Sequence, residues 1–408
     1  MKITKLIFIA LLLALGIPSI FQTASAHGER SLEPFVRMRT IQWYDVKWSS
    51  DKLAVNDDLV ITGRFHVAQD WPSNLAKPDA AYLALVAPGP VFVRKERTIN
   101  GESHVNSLPL KLGGDYEFRM VLKARIPGKY HIHPSFNIQE TGNIAGPGMW
   151  ITITGSASDF TNMVKLSHGE MVNLETYGKS NGLRWHMFWT ILGVAWLAWW
   201  IRRPLFIPRY NLLKRGGAED TLITPLDNKL AKGILFVIPA IVLGSYLYTI
   251  SLYPETIPLQ TSRDQIEPLD PLPNLVNVKV KRAEYIISSR DMNMVMEVQN
   301  NTDRPLKLGE FATGSVRFIN PKIHVDYKNY SSELVAEQGL HVKQEEAIAP
   351  GASALLTVDA MDALWHNEHL SSVIKDADSR LGGLLFFYDD LGNRFVSSIS
   401  VPIIPIYK

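Results

Sequence analysis

The chain has 408 residues, 46% hydrophobic and 20% charged, enough apolar matter for large cores and two or three domains. Lys plus Arg number 42 against 40 Asp plus Glu, so no sizeable excess of positive charge points to nucleic acid. Cysteine is absent, which excludes disulfides, thiolate zinc sites and thiolate-ligated blue copper.

Residues 1–26 read as a signal peptide. Lys2 and Lys5 make the positive start, Leu6 to Ile17 is apolar, and Ala24-Ser25-Ala26 is a small-residue cleavage site. Cleavage there makes His27 the new N-terminus and places the following domain outside the inner membrane.

Residues 27–181 are rich in strand patterns. Phe35 to Ile41, Leu59 to Val67, Tyr116 to Arg125, Lys129 to His133 and Met149 to Thr154 are predicted strands, with Pro127-Gly128 and Gly146-Pro147-Gly148 as turns. Short strands between Gly, Pro and Asn turns predict a β-sandwich.

Residues 182–202 follow as a first membrane span, apolar from Trp185 to Ile201 except for His186 and Thr190. Trp199 and Trp200 precede Arg202 and Arg203, where an interfacial belt belongs. The loop 203–232 carries Arg209, Lys214, Arg215, Lys229 and Lys232 against Glu219, Asp220 and Asp227, which predicts a cytoplasmic side. A second span at 233–254 contains Pro239 and Gly244, residues that membrane helices tolerate. Both flanking domains then lie on the periplasmic side.

Residues 255–408 follow Pro254 and open with Pro258, Pro268, Pro271 and Pro273, then return to strand patterns at Met294–Val298, Ala354–Val358, Leu384–Tyr388 and Phe395–Ile399. The predicted fold class is mainly β: two cupredoxin-like or Ig-like β-sandwiches joined by a two-helix transmembrane hairpin.

Among eleven histidines, His27, His131 and His133 stand out. His131 and His133 are two apart on a predicted strand, so both imidazoles leave one face. An N-terminal His27 adds an α-amine and its own Nδ1 as a chelating pair, and an amine with a pKa near 7.7–8.0 gives up its proton easily. A nitrogen-rich set without sulfur favours Cu(II), with zinc as the next choice. Glu29 is placed to orient the site or to be a solvated acid. His66 has no histidine near it in sequence, His186 is interfacial, and His366 and His369 are i, i+3 without further partners. No G-x-S-x-G, P-loop, dinucleotide fingerprint or H-E-x-x-H occurs.

Several stretches resemble one known family: His27-Gly28-Glu29-Arg30, Arg37 to Asp45, Gly89 to Arg94, Leu122 to Arg125, His131-Ile132-His133, Gly146-Pro147-Gly148, Gly309-Glu310-Phe311, Val316 to Asn320 and Asp362 to Trp365. The chain is similar over essentially its whole mature length to the B subunit of the copper membrane monooxygenases, the family of particulate methane monooxygenase and ammonia monooxygenase. The resemblance implies two periplasmic cupredoxin-like domains, A and C membrane subunits as partners in a trimer of heterotrimers embedded in lipid, and copper held by His27, His131 and His133. Methane-type members often carry a further ligand histidine where this chain has Gln42, pairing with the one at His66, so that second site is incomplete here. Gln42 and the His-Gly-Glu-Arg start are more similar to the ammonia-type proteins. Oxidation of ammonia to hydroxylamine is therefore the first expectation, and oxidation of methane or another short hydrocarbon the alternative. A copper-delivery or storage module could use the same N-terminal histidine set; two spans and a second sandwich argue against a secreted polysaccharide oxidase.

Overall fold

The clearest alternation in the sequence becomes the central strand pair of the first half. In the computed structural model, β3 (Asp58–Val67) and β7 (Asp115–Ala124) pair antiparallel from Asp58–Lys123 to His66–Asp115. The structure describes residues 34–201, 206–217, 223–254, 263–271, 275–327, 330–361 and 378–407. The signal segment, His27, Glu29, His366 and His369 lie outside them.

The fold is mainly β. One sheet runs β1 (Ile41–Trp48), β3, β7, β5 (Phe92–Ile99), β6 (Glu102–Ser103). The other runs β2 (Lys52–Ala54), β10 (Met149–Thr154), β8 (Gly128–Ile138), β4 (Ala81–Val86), with β9 (Gly142–Ala145) also on β8. Inward side chains of the two sheets meet in an aromatic core, where Phe65 and Phe136 lie 4.7 Å apart and Trp43 stacks on Phe136 at 5.5 Å. Burial of such rings supplies most of the driving force for stacking the sheets.

The second half repeats the plan. β18 (Leu340–Val342), β19 (Ser353–Ala360), β14 (Asp291–Asn300), β13 (Val276–Ile286) and β22 (Ile404–Ile406) form one sheet. β17 (Val335–Ala336), β16 (Val316–Ile319), β15 (Lys307–Thr313), β20 (Arg380–Tyr388) and β21 (Arg394–Pro402) form the other. Met294, Val358, Phe311 and Leu385 meet between them.

The two sheet pairs do not have separate cores. Val325, Tyr330 and Val335 of the second half belong to the first core, and Met38 of the first half belongs to the second. Described residues up to Phe160 and from Arg263 onward accordingly form one compact unit.

The strand expected from Phe35 to Ile41 is corrected by this packing. Pro34–Met38 forms a short helix, α1, and the strand starts only at Ile41. Tertiary anchors override the local pattern. Met38 plugs the second core, and the buried Arg39 guanidinium donates to the Asp378 carbonyl at 2.7 Å and its carboxylate at 2.9 Å.

Described residues of 161–259 form the other unit: the hairpin β11 (Met163–Lys165) with β12 (Met171–Asn173), then α2 (Lys179–Ile201), α3 (Phe206–Lys214) and α4 (Pro225–Leu252). The hairpin thus groups with the helices. Helix α4 starts in a reciprocal cap between Thr224 and Asp227, and Trp199 of α2 donates its indole N–H to the buried Asp227 at 3.0 Å. With 28 residues and an 18-residue stretch of mean hydropathy 2.0, α4 is the one helix among the described residues long and apolar enough to cross a membrane. Helix α2 has 23 residues, but Lys179, Arg184, His186 and its tryptophans dilute its hydropathy.

One histidine with no visible partner in the sequence turns out to fasten the chain. His104, fully buried, accepts the Leu83 backbone N–H on Nε2 at 3.1 Å, so its proton sits on Nδ1 and is donated to Asp264 at 3.0 Å. Asp264 also accepts the backbone N–H groups of Val105 and Asn106, both at 2.9 Å. Burial, reinforced by the nearby Arg97 guanidinium and opposed by Asp264, pushes the imidazole down to about 4. Between pH 6.5 and 4 the unfolded chain therefore binds a proton here that the folded chain does not. Stability is full above pH 6.5 and falls as pH drops through that window, by about 3 kcal/mol in all. Denaturant midpoints measured at pH 7.5 and 4.5 should show this slope, and His104→Gln should flatten it. Equal slopes for the two proteins would reject the assignment.

Candidate metal centre

β8 passes between two neighbours, pairing with β10 along its first half and with β4 along its second. His131 lies opposite Trp150 of β10, and His133 opposite Val86 of β4. Two-residue spacing sends both imidazoles to one face. Their rings stand edge to face with centroids 4.6 Å apart, and His133 Nε2 lies 3.1 Å from His131 Nδ1.

The surroundings of His133 select its tautomer. It is buried, and Nδ1–H donates to the Gly146 carbonyl at 2.8 Å, which leaves the lone pair on Nε2, toward His131. A separation of 3.1 Å suits two imidazole nitrogens that bind one ion at the usual bond length of about 2.0–2.1 Å. His131 is less buried, with 30% of its side chain exposed, and the Trp150 ring lies 5.0 Å away with Lys129 Nζ 5.2 Å from that ring.

Gly148 makes room for the pair. A Cβ there would stand 2.4 Å from His133 Cε1 and 2.7 Å from His131 Cε1, closer than real side chains approach. Gly146 is equally confined, facing Trp43 and the Pro134 carbonyl. The segment expected to be a plain turn is thus the floor of the histidine pair and the source of its orienting carbonyl. Among the described residues no cluster of three or more His, Cys, Asp or Glu is poised around an ion. A nitrogen-only pair of imidazoles fits copper.

The other histidine candidates are placed differently. His66 lies directly opposite Gln42 in the β1–β3 register. Its Nδ1 pairs with Asp115 at 3.1 Å, and Tyr44 donates its hydroxyl to the same carboxylate oxygen at 3.3 Å. Burial and the Asp115 charge raise the Tyr44 hydroxyl above its ordinary range, so it remains a donor. The Gln42 amide N–H donates to the Met38 carbonyl at 2.6 Å, which commits that side chain to α1. His168 faces Glu170 at 3.1 Å on the surface, and His324 and His341 are exposed. Three residues join the site without having been expected there: Gly148, Trp150 and Glu333, whose carboxylate lies beside His131. Only Gly148 carried a signal, through its place in Gly146-Pro147-Gly148.

The family described as the B-subunit protein of monooxygenases matches residues 28–407. The particulate methane monooxygenase alpha subunit of Methylococcus capsulatus Bath is 44% identical over 408 residues, covering 100% of this chain and 98% of that protein. Among solved structures, the cupredoxin domain of amoB from Nitrosocaldus yellowstonii aligns at 19% identity and a TM-score of 0.25, over 32% of this chain and 98% of that one. The D0-D1 domain of intimin aligns at 6% identity and a TM-score of 0.17, over 88% of this chain and 98% of that one. Scores this low establish no shared fold. Family match and full-length identity agree: the chain belongs to the B-subunit family of the monooxygenases.

Proposed function

We propose that this chain is the copper-holding B subunit of a membrane-bound monooxygenase, with His27, His131 and His133 as the ligands. The observation that carries the reading is the His131–His133 pair, its nitrogens 3.1 Å apart and its space kept open by Gly148. Copper bound there would supply a one-electron redox centre able to take part in oxygen chemistry. The protein's own contribution is orientation. The Gly146 carbonyl keeps the His133 proton on Nδ1, and the pleat of β8 holds both rings on one face.

For the substrate, the full-length relative is named a methane monooxygenase subunit, which supports methane or another short hydrocarbon. A second reading, ammonia, is favoured by Gln42, which stands opposite His66 with its amide tied to Met38. The partners in this reading are the A and C membrane subunits. Helices α2 and α4 form the two spans, with the basic loop on the cytoplasmic side and both sheet pairs in the periplasm.

Isolated membranes given methane and ammonia in parallel should oxidise methane. Turnover should stop with a copper chelator and return with added copper. Ammonia oxidation without methane turnover would transfer the assignment to the second reading. A chain that purifies free of polytopic subunits and hands copper to an acceptor would sink both.

A further inference from the structure

We propose that Glu333, carried by the second sheet pair, is a positioning residue for His131 of the first; this rests on the copper reading above. His131 Nδ1 faces His133 Nε2, so its other nitrogen, Nε2, points away from the pair, and Glu333 Oε2 lies 3.9 Å from it. That is ion-pair range, beyond a direct hydrogen bond. A carboxylate on that side favours the tautomer with the proton on Nε2, because the other tautomer would turn a lone pair toward a negative charge. In the metal-free pair His131 Nδ1–H donates to His133 Nε2 across 3.1 Å; an ion held by both nitrogens requires the His131 proton on Nε2 instead, on the Glu333 side. Glu333 thereby biases His131 through its charge, where the Gly146 carbonyl holds His133 by a direct hydrogen bond. Glu333 thus favours the metal-bound arrangement of His131 over the metal-free, hydrogen-bonded one.

The position of Glu333 is not a loose surface accident. It sits in a single 3₁₀ turn, Ser332–Leu334, directly before β17. Tyr330 and Val335 on either side of the turn are buried in the first core, and Leu334 packs against it. The Tyr330 hydroxyl donates to the Ser315 carbonyl at 2.9 Å. The acid itself keeps 58% of its side chain exposed, so it can be replaced without opening the core. One half of the chain therefore supplies the histidines, and the other supplies the charge that orients one of them.

The test uses the assembled complex in its membrane, with copper affinity read by chelator competition and the Cu(II) site by electron paramagnetic resonance. Glu333→Ala should weaken copper binding about 10–100-fold and shift the resonance signal, at unchanged assembly. Glu333→Asp should recover part of the affinity and the original signal. Glu333→Gln, equal in shape, should move affinity and signal in the same direction as alanine, and it serves where alanine disturbs assembly. Unchanged affinity and signal in Glu333→Ala, beside copper loss in a His131→Ala, His133→Ala control, would overturn the positioning role alone. Unchanged copper in that control as well would overturn the copper reading itself.

Discussion

Gly148→Ala should strip copper from the chain nearly as fully as loss of both histidines, while leaving the sheets folded. The added methyl group would meet His133 Cε1 at 2.4 Å and His131 Cε1 at 2.7 Å. The ring it meets most closely is fixed. His133 is buried and held by the Gly146 carbonyl, and His131 is flanked by Trp150. His133 cannot yield without breaking its bond to the Gly146 carbonyl, and a shift of His131 breaks the 3.1 Å spacing of the pair. Overpacking in such a setting costs about 1–3 kcal/mol in stability. Ligand geometry is less forgiving than that, because a displacement of about 1 Å takes a nitrogen out of bonding distance. Copper per chain, measured by elemental analysis after assembly, should fall at least about tenfold. Normal copper content in a correctly assembled Gly148→Ala complex would mean that the two imidazoles are not ligands together.

The contrast between Gly148 and the histidines shows what kind of information a linear chain exposes. The His131-Ile132-His133 spacing is a local property, and strand pleating converts it directly into a shared face. The strands β3, β7 and β14 were legible for the same reason, since alternation is written residue by residue, and β20 was legible as a short continuous apolar run. Gly148 was legible only as a turn former, because the rings it must clear stand on a neighbouring strand. Glu333 lies far beyond His131 in the chain, and nothing local marks it. The His104–Asp264 pair is separated by 160 residues and was likewise hidden. At Phe35 to Ile41 the apolar spacing was compatible with a strand. The anchoring of Met38 and Arg39 in the second half decided for a helix instead.

The second large effect concerns stability. Arg317→Met should destabilise the two-sheet-pair unit by about 3–5 kcal/mol, although neither Arg317 nor its partner touches the candidate centre. Arg317 donates Nε to one oxygen of Glu310 at 2.6 Å and Nη2 to the other at 2.8 Å, and both side chains are buried. Burial works to lower the guanidinium's proton affinity, yet the Glu310 carboxylate outweighs it and holds Arg317 above its ordinary value. Removing the cation leaves Glu310 buried beside Tyr388 without its counter-charge. The guanidinium also lies 4.9 Å from the ring of Tyr330, the residue that anchors the turn bearing Glu333. Loss of Arg317 should therefore loosen the second half where it meets His131, and copper affinity should drop along with the denaturation midpoint. The double variant Glu310→Leu, Arg317→Met should regain most of the stability, since an apolar pair of similar volume needs no counter-ion. A single Arg317→Met variant with an unshifted midpoint would show that the ion pair is screened by water rather than buried, and the coupling to the Glu333 turn would fall with it.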